Sequence, residues 1–229
     1  MDVYEAILKR RSIRKYMDMP VEWDKLGKVV DAGRLAPCAG NLQSWKFVVV
    51  TEKELRNQLS EACLKQYWMQ TAPVHIVVCA EITKLSRFYG IRGERLYSIQ
   101  SCAAAAESMI LMATSIGLAT CWVSAFDEEM IKRILRIPDF VRPQMVITLG
   151  YADEIVPEPP KYTLTDVTFL QYYERRRRDP FMTMGFTSHH VEKALKDTKD
   201  FLENAGKKSD SLIGKLSKKL RGEGKEGNQ

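Results

Sequence analysis

Residues 97–116 read as one long helix that is apolar almost all the way round, with alanines at 103–106. Such a helix has no face suited to water, so the rest of the chain must cover it on every side. The alanine run lets neighbouring backbones approach closely. No charged residue occurs between 108 and 126, a length close to that of a membrane span. However, Ser108, Thr114, Ser115, Thr120 and Ser124 interrupt the stretch and Gly117 divides it. It therefore reads as a buried helix followed by a buried strand.

The elements around it follow from local signals. Asp2 with Glu5 has the form of a capping box and opens a helix ending near Lys9. A second helix fits 22–35, with Trp23, Leu26, Val30 and Leu35 on one face, and Pro37 stops it. Residues 46–50 and 74–79 are nearly continuous apolar runs, as expected of strands covered on both faces. A helix is expected between them over 52–66. Further strands fit 120–124 and 144–149, separated by a helix over 127–135. This helix-rich alternation indicates an α/β or α+β sandwich, and 229 residues suffice for one such core with an appendage.

Composition narrows the class. The net charge of +6 is mild, and much of the excess lies in the arginines at 175–178 and the lysine-rich tail. Cys38, Cys63, Cys79, Cys102 and Cys121 are odd in number, dispersed, and never spaced as CxxC. That pattern suits reduced thiols and argues against a disulfide framework or a zinc site. The opening Met1-Asp2-Val3-Tyr4-Glu5 is already charged, unlike a secretory signal. The expectation is a soluble, cytoplasmic protein without a metal.

Two segments carry candidate chemistry. Arg10, Arg11, Ser12 and Arg14 cluster where the first helix has just ended. Guanidinium forks make bidentate bonds to phosphate, so the cluster can clamp a terminal phosphate; a solvated basic turn is the plainer alternative. In the loop Ala36-Pro37-Cys38-Ala39-Gly40-Asn41-Leu42-Gln43-Ser44-Trp45, two carboxamides stand two positions apart. They can donate and accept at once, as the mixed edge of a flavin or base requires; an ordinary turn is the alternative. His75 alternates within an apolar strand and reads as a hydrogen-bonded core histidine. Cys38 reads as a small packing residue rather than a nucleophile.

The RRSIR run (residues 10–14), the APCAGNLQSWKF loop (36–47), GLATCWVSAFD (117–127) and LGYADE (149–154) occur in this order. Together they resemble the nitroreductase superfamily of flavoproteins over roughly residues 1–170. The resemblance implies an α+β sandwich whose central, mostly antiparallel sheet is flanked by helices, in an intertwined homodimer with FMN between subunits. It implies that Arg10, Arg11, Ser12 and Arg14 hold the phosphate and ribityl groups. Pro37, Cys38, Ala39, Asn41 and Gln43 would approach the flavin from the neighbouring subunit. Gln66 would contact the flavin, the backbones of Ser124 and Ala125 would face N5 and O4, and Lys161 would be a second phosphate ligand. No side chain is implied as a catalytic acid or base.

The activity implied is transfer of hydride from NAD(P)H through FMN to a nitroaromatic, quinone or similar acceptor. A flavin-degrading or dehalogenating relative, or a flavin-carrying protein acting through its tail, are the alternatives. Residues 171–229 read as a basic helical extension with a disordered end. It is better explained as a clasp on the other subunit or the body than as a surface for membranes or acidic partners, because its apolar stripe lacks large aromatics. No nucleic-acid-binding motif accompanies the arginines at 175–178.

Overall fold

The computed structural model describes residues 1–174. The chain divides into two compact units, Met1–Glu158 and Pro159–Gln229. The expected tail helices and the arginines at 175–178 lie outside the described residues.

In the first unit, helix α1 (Val3–Lys9) starts at the Asp2–Glu5 capping box, and α2 is Trp23–Arg34. Strand β1 (Trp45–Val50) and α3 (Lys53–Ala62) lead to β2 (Val74–Glu81) and α4 (Ile82–Arg92). A π turn (Gly93–Tyr97) then enters α5 (Ser98–Ser115). Strand β3 (Ala119–Val123), α6 (Glu128–Leu135) and β4 (Val141–Gly150) complete the unit. The sheet order is β1-β2-β4-β3, and every pair is antiparallel. Helices on both faces make this an α+β sandwich. In the second unit, α7 (Leu164–Val167) begins at a capping box between Thr163 and Asp166.

The two faces of the sheet bury separate cores. On one face α5 and α2 pack over Ile76, Val78, Ile147 and Leu149, with Cys102, Ala105, Ala106 and Met109 facing inward from α5. On the other, α3 and α6 bring Leu59 and Ile131 against Val77, Val123 and Val146. Each such fully buried aliphatic side chain contributes about 1.5–3 kcal/mol. The apolar helix is thus the central one, and β3 follows it as expected. No helix among the described residues is long and apolar enough to cross a membrane.

Several local expectations are corrected. The helix expected over 52–66 ends at Ala62, because Leu64 and Lys65 adopt left-handed backbone with φ of 57° and 60°. Helix α2 buries Leu26, Val29 and Gly33, whereas Trp23 and Leu35 are exposed. Gly33 lies so close to Met109 that a side chain there would displace it, and this contact turns the buried stripe. Strand β1 lies at the sheet edge, so Lys46 and Val49 face water and only β2 is covered throughout. Strand β4 begins earlier than expected, at Val141, despite Pro143. Pro143 precedes the part of β4 that pairs with β3, so only β2 flanks the strand there. The ladder to β2 also shifts register at Val78–Cys79, opposite this point. Residues 82–96, unassigned from sequence, form α4 and most of the π turn, which takes in Tyr97 from the expected long helix.

Candidate functional site

The first group of candidates sits beside β3. After α1, Arg10 leaves helical geometry, and Ser12 forms a parallel bridge to Thr120. The Ile13 N–H donates to the Thr120 carbonyl at 3.0 Å, and the Ile13 side chain is buried with Tyr16 and Ala72. With Ile13 anchored inward, Arg10, Ser12 and Arg14 at alternate positions gather near the Cys121 thiol. Burial pushes that thiol pKa up, and Arg14, Ser12 and Arg10 oppose the shift. The Arg14 guanidinium lies 5.8 Å from the Trp68 ring centre. Arg11 points elsewhere: it donates to the Leu8 and Arg10 carbonyls at 2.6 and 2.7 Å and pairs with Glu158 at 3.6 Å. Among the described residues, the Arg10 and Arg14 side chains have no carboxylate partner.

Farther along the same strand lies the second part of this group. β3 leaves its ladder at Val123, so the exposed Ser124 and Ala125 are not committed to the sheet. The Trp122 indole donates to Ser124 Oγ at 2.6 Å. Gln66 Nε2 donates to the Cys63 carbonyl at 2.9 Å and to the Ala125 carbonyl at 3.3 Å. From Thr120 to Ser124 is four residues, about 13 Å of extended chain. The structure thus brings Arg10, Ser12, Arg14, Gln66, Ser124 and Ala125 along one edge.

The loop before β1 is a separate group. Gly40, Asn41 and Gln43 all take left-handed backbone, with φ of 54°, 53° and 49°. The Gln43 N–H donates to Cys38 Sγ at 3.2 Å, and Gln43 Nε2 reaches the Asn41 carbonyl and Oδ1 at 3.4 Å. The Ala39 N–H donates to Ser101 Oγ at 3.4 Å. Pro37, Cys38, Ala39 and Gly40 line a cleft of about 490 Å³ with Tyr89 and Tyr97. The Tyr89 hydroxyl presses against Gly40, leaving no room for a Cβ. Cys38 is half-buried, and its thiol is engaged by a backbone N–H rather than by a base.

One chain does not unite the two groups. Thr120 shares a row with Leu149 and Val74, whereas Trp45 shares the opposite row with Ala80. The groups stand at opposite edges of the sheet, and the Ser12–Thr120 part lies at the opposite end from Trp45. Ser124 follows Val123, whose row runs through Val146, Val77 and Val48, and so lies about 16 Å from Trp45. Three strand spacings and six residues along β2 separate Thr120 from Trp45 by about 25 Å. Lys161 lies exposed in the second unit. A larger cleft, about 630 Å³ and lined by Asp18, Trp23 and Arg56 among others, contains none of the candidates.

Sequence reasoning missed Trp68, Tyr89 and Tyr97. Only the spacing of two tyrosines within 82–97 signalled the last pair. Among the described residues, no group of three or more His, Cys, Asp or Glu side chains could hold a metal ion.

Comparison with known proteins identifies the family. The sequence matches the Nitroreductase family profile over residues 7–67 and 60–151. The chain belongs to the nitroreductase family. The matched span carries the Arg10–Arg14 segment, the 37–43 loop, Gln66, Ser124 and Ala125, and ends before Lys161.

Relatives match two thirds or more of the chain. One from Methanothermobacter thermautotrophicus is 35% identical over 158 residues, 67% of this chain and 79% of its own. A Thermus thermophilus protein named NADH dehydrogenase is 30% identical, over 67% of this chain and 88% of its own. The crystal structure of a nitroreductase family protein from Clostridium difficile 630 is 34% identical, with a TM-score of 0.65. It covers 76% of this chain and 99% of its own.

Proposed function

We propose that the protein is an FMN-dependent oxidoreductase, a homodimer with two flavin sites that each draw on both subunits. The observation that carries this is that the two candidate groups stand at opposite edges of the sheet within one chain, about 25 Å apart at Thr120 and about 16 Å at Ser124. A two-fold partner can set the loop of one copy beside the β3 edge of the other. A relative from Bacillus subtilis is named FMN reductase [NAD(P)H], and a C. difficile R20291 structure, 30% identical, is described as an FMN-dependent nitroreductase.

The residues present fit FMN. Two guanidiniums without carboxylate partners, beside a hydroxyl, suit its phosphate. About 13 Å farther, the uncommitted amides of Ser124 and Ala125 suit the polar edge of its ring system. When bound, FMN supplies the redox chemistry, taking hydride from NAD(P)H and passing electrons to an acceptor. The chain's own part is positional. Arg10, Ser12 and Arg14 fix the phosphate end, and Trp68 holds the Arg14 guanidinium in place. Gln66 fixes the Ala125 backbone. The partner's loop, with Asn41 and Gln43, closes the other side and excludes water. Lys161 is assigned to the phosphate by resemblance alone.

Nitroaromatics and quinones are the acceptors this reading favours, because the cleft at Tyr89 and Tyr97 suits flat rings. Donor and acceptor must occupy the same space in turn, so steady-state kinetics are ping-pong. Five free cysteines support a reducing, cytoplasmic setting. Anaerobic mixing with NADH or NADPH tests the activity. Rapid bleaching of the yellow protein, then parallel double-reciprocal lines with an acceptor, is the expected result. Absence of bleaching, or intersecting lines with a ternary complex, contradicts it.

A further inference from the structure

Residues 82–97 carry four cations, Lys84, Arg87, Arg92 and Arg95, against the single carboxylate of Glu94. Elsewhere on the surface, Lys15, Lys25, Arg34, Lys132 and Arg142 each meet a carboxylate within 3.0 Å. Among the described residues, Lys84, Arg87 and Arg95 meet none. Arg92 is held by the neutral Tyr97, donating to its hydroxyl at 3.0 Å. Other exposed cations, among them Lys28, Lys53 and Arg133, also meet none, but Lys84, Arg87 and Arg95 form a local excess that can attract an anionic ligand.

The element is also shaped for one. Lys84, Arg87 and Phe88 line a cleft of about 440 Å³ with Glu81 and Thr83. The Glu81 carboxylate is already paired with Lys46 at 3.4 Å, so the two cations stand free. Phe88 is 62% exposed and offers a bare ring on which a purine can stack. One residue on, Tyr89 turns into the cleft above Cys38 and Gly40. Helix α4 therefore stands between a cationic, aromatic cleft and the cleft of the loop read here as flavin-facing. A ligand reaching from one to the other must cross about 10 Å of helix. An extended dinucleotide has that reach and a small acceptor does not. The element is built to adjust, because Gly90 breaks the helix with φ 55° and ψ −145° and a π turn follows it.

We propose that Lys84 and Arg87 bind the ribose phosphate that distinguishes NADPH from NADH, making this a phosphate-selective donor site. Phe88 stacks on the adenine, and the nicotinamide end reaches over α4 to the cleft at Tyr89. The assignment rests on the flavin reductase reading. A second phosphate source is a free flavin nucleotide acting as acceptor, and the same strip would then favour FMN over riboflavin.

Stopped-flow reduction of the bound flavin by NADPH and by NADH, in the parent and in Lys84→Ala/Arg87→Ala, separates these outcomes. Both proteins are first matched for flavin content, which certifies their folding. The parent should half-saturate with NADPH at a concentration about tenfold lower than with NADH. The preference should shrink with added salt, vanish in the double variant, and persist in part in Arg87→Lys. Equal affinities in the parent, or an undiminished preference in the double variant, overturn the inference. Loss of discrimination between FMN and riboflavin as acceptors, with the donor preference intact, overturns the donor assignment. Absence of bleaching by either nucleotide overturns the reductase reading and this inference together.

Discussion

Gln66 Nε2 donates to the Ala125 carbonyl at 3.3 Å, tying the turn after α3 to the end of β3 across 59 residues. The same nitrogen holds the Cys63 carbonyl at 2.9 Å, and the Asp127 N–H donates to the Ala62 carbonyl at 2.8 Å. The backbone that presents the Ser124 and Ala125 amides is therefore positioned from outside its own strand. Gln66→Leu should weaken FMN binding about tenfold, near the effect of one lost hydrogen bond. Fluorescence titration with FMN measures this, and a denaturant midpoint shared with the parent would show that the fold is intact.

The arginines beside α1 should differ sharply in their contribution. Arg10→Ala with Ser12→Ala removes a free cation and a hydroxyl and should weaken FMN binding about 100-fold. Arg11→Ala should retain most of the flavin, because its guanidinium is occupied by the Leu8 and Arg10 carbonyls and by Glu158. Absorbance ratios after desalting distinguish the two variants. Equal losses would show that Arg11 turns toward the phosphate.

Much of the architecture is legible in the sequence because its signals are local. The Asp2–Glu5 box, the apolar helix before Gly117 and the β-branched runs of β1 and β2 each specify an element within a few residues. What was not legible depends on distant partners. Nothing near Lys65 announces two consecutive left-handed residues at 64–65. The inward face of α2 is decided by Met109 of α5, 76 positions beyond Gly33. The same division holds at the site. Arg10, Ser12, Asn41, Ser124 and Ala125 are candidates that motifs nominate, whereas Trp68 and Tyr89 become candidates only through their contacts with Arg14 and Gly40.

Two glycines should respond oppositely to alanine. At Gly150, a Cβ would lie 2.6 Å from Pro73 Cδ and 2.9 Å from the Tyr16 ring, both rigid. Gly150→Ala should destabilise by about 1–3 kcal/mol through overpacking. Gly27 lies in α2 with nothing within 4 Å of its added carbon, so Gly27→Ala should stabilise by about 0.5–1 kcal/mol. Urea denaturation of both variants checks the pair.

His75 is the core histidine expected from its strand. Its Nε2 lies 2.9 Å from the Met69 carbonyl and must carry the proton, while Nδ1 is buried with no hydrogen-bond partner among the described residues. Burial pushes the imidazole pKa down from 6.5 to about 4. The unfolded chain therefore binds a proton that the native state refuses. The stability is complete above pH 6.5 and falls as pH drops toward 4, by an amount on the order of 1–3 kcal/mol. His75→Leu should lose this acid limb, read as urea midpoints at pH 7 and pH 5. An unchanged difference between the two pH values would show that other groups govern it.

Subunit complementation tests the shared site most directly. Arg10→Ala/Ser12→Ala damages the β3-edge half, and Asn41→Leu/Gln43→Leu damages the loop half. Each homodimer alone should lack tightly held FMN. After the two are unfolded together and refolded, mixed dimers should carry one site with both halves intact. About one quarter of all sites should then regain FMN and NAD(P)H-dependent bleaching, from random pairing in a two-fold dimer. A refolded mixture that contains mixed dimers yet regains no flavin would contradict the account.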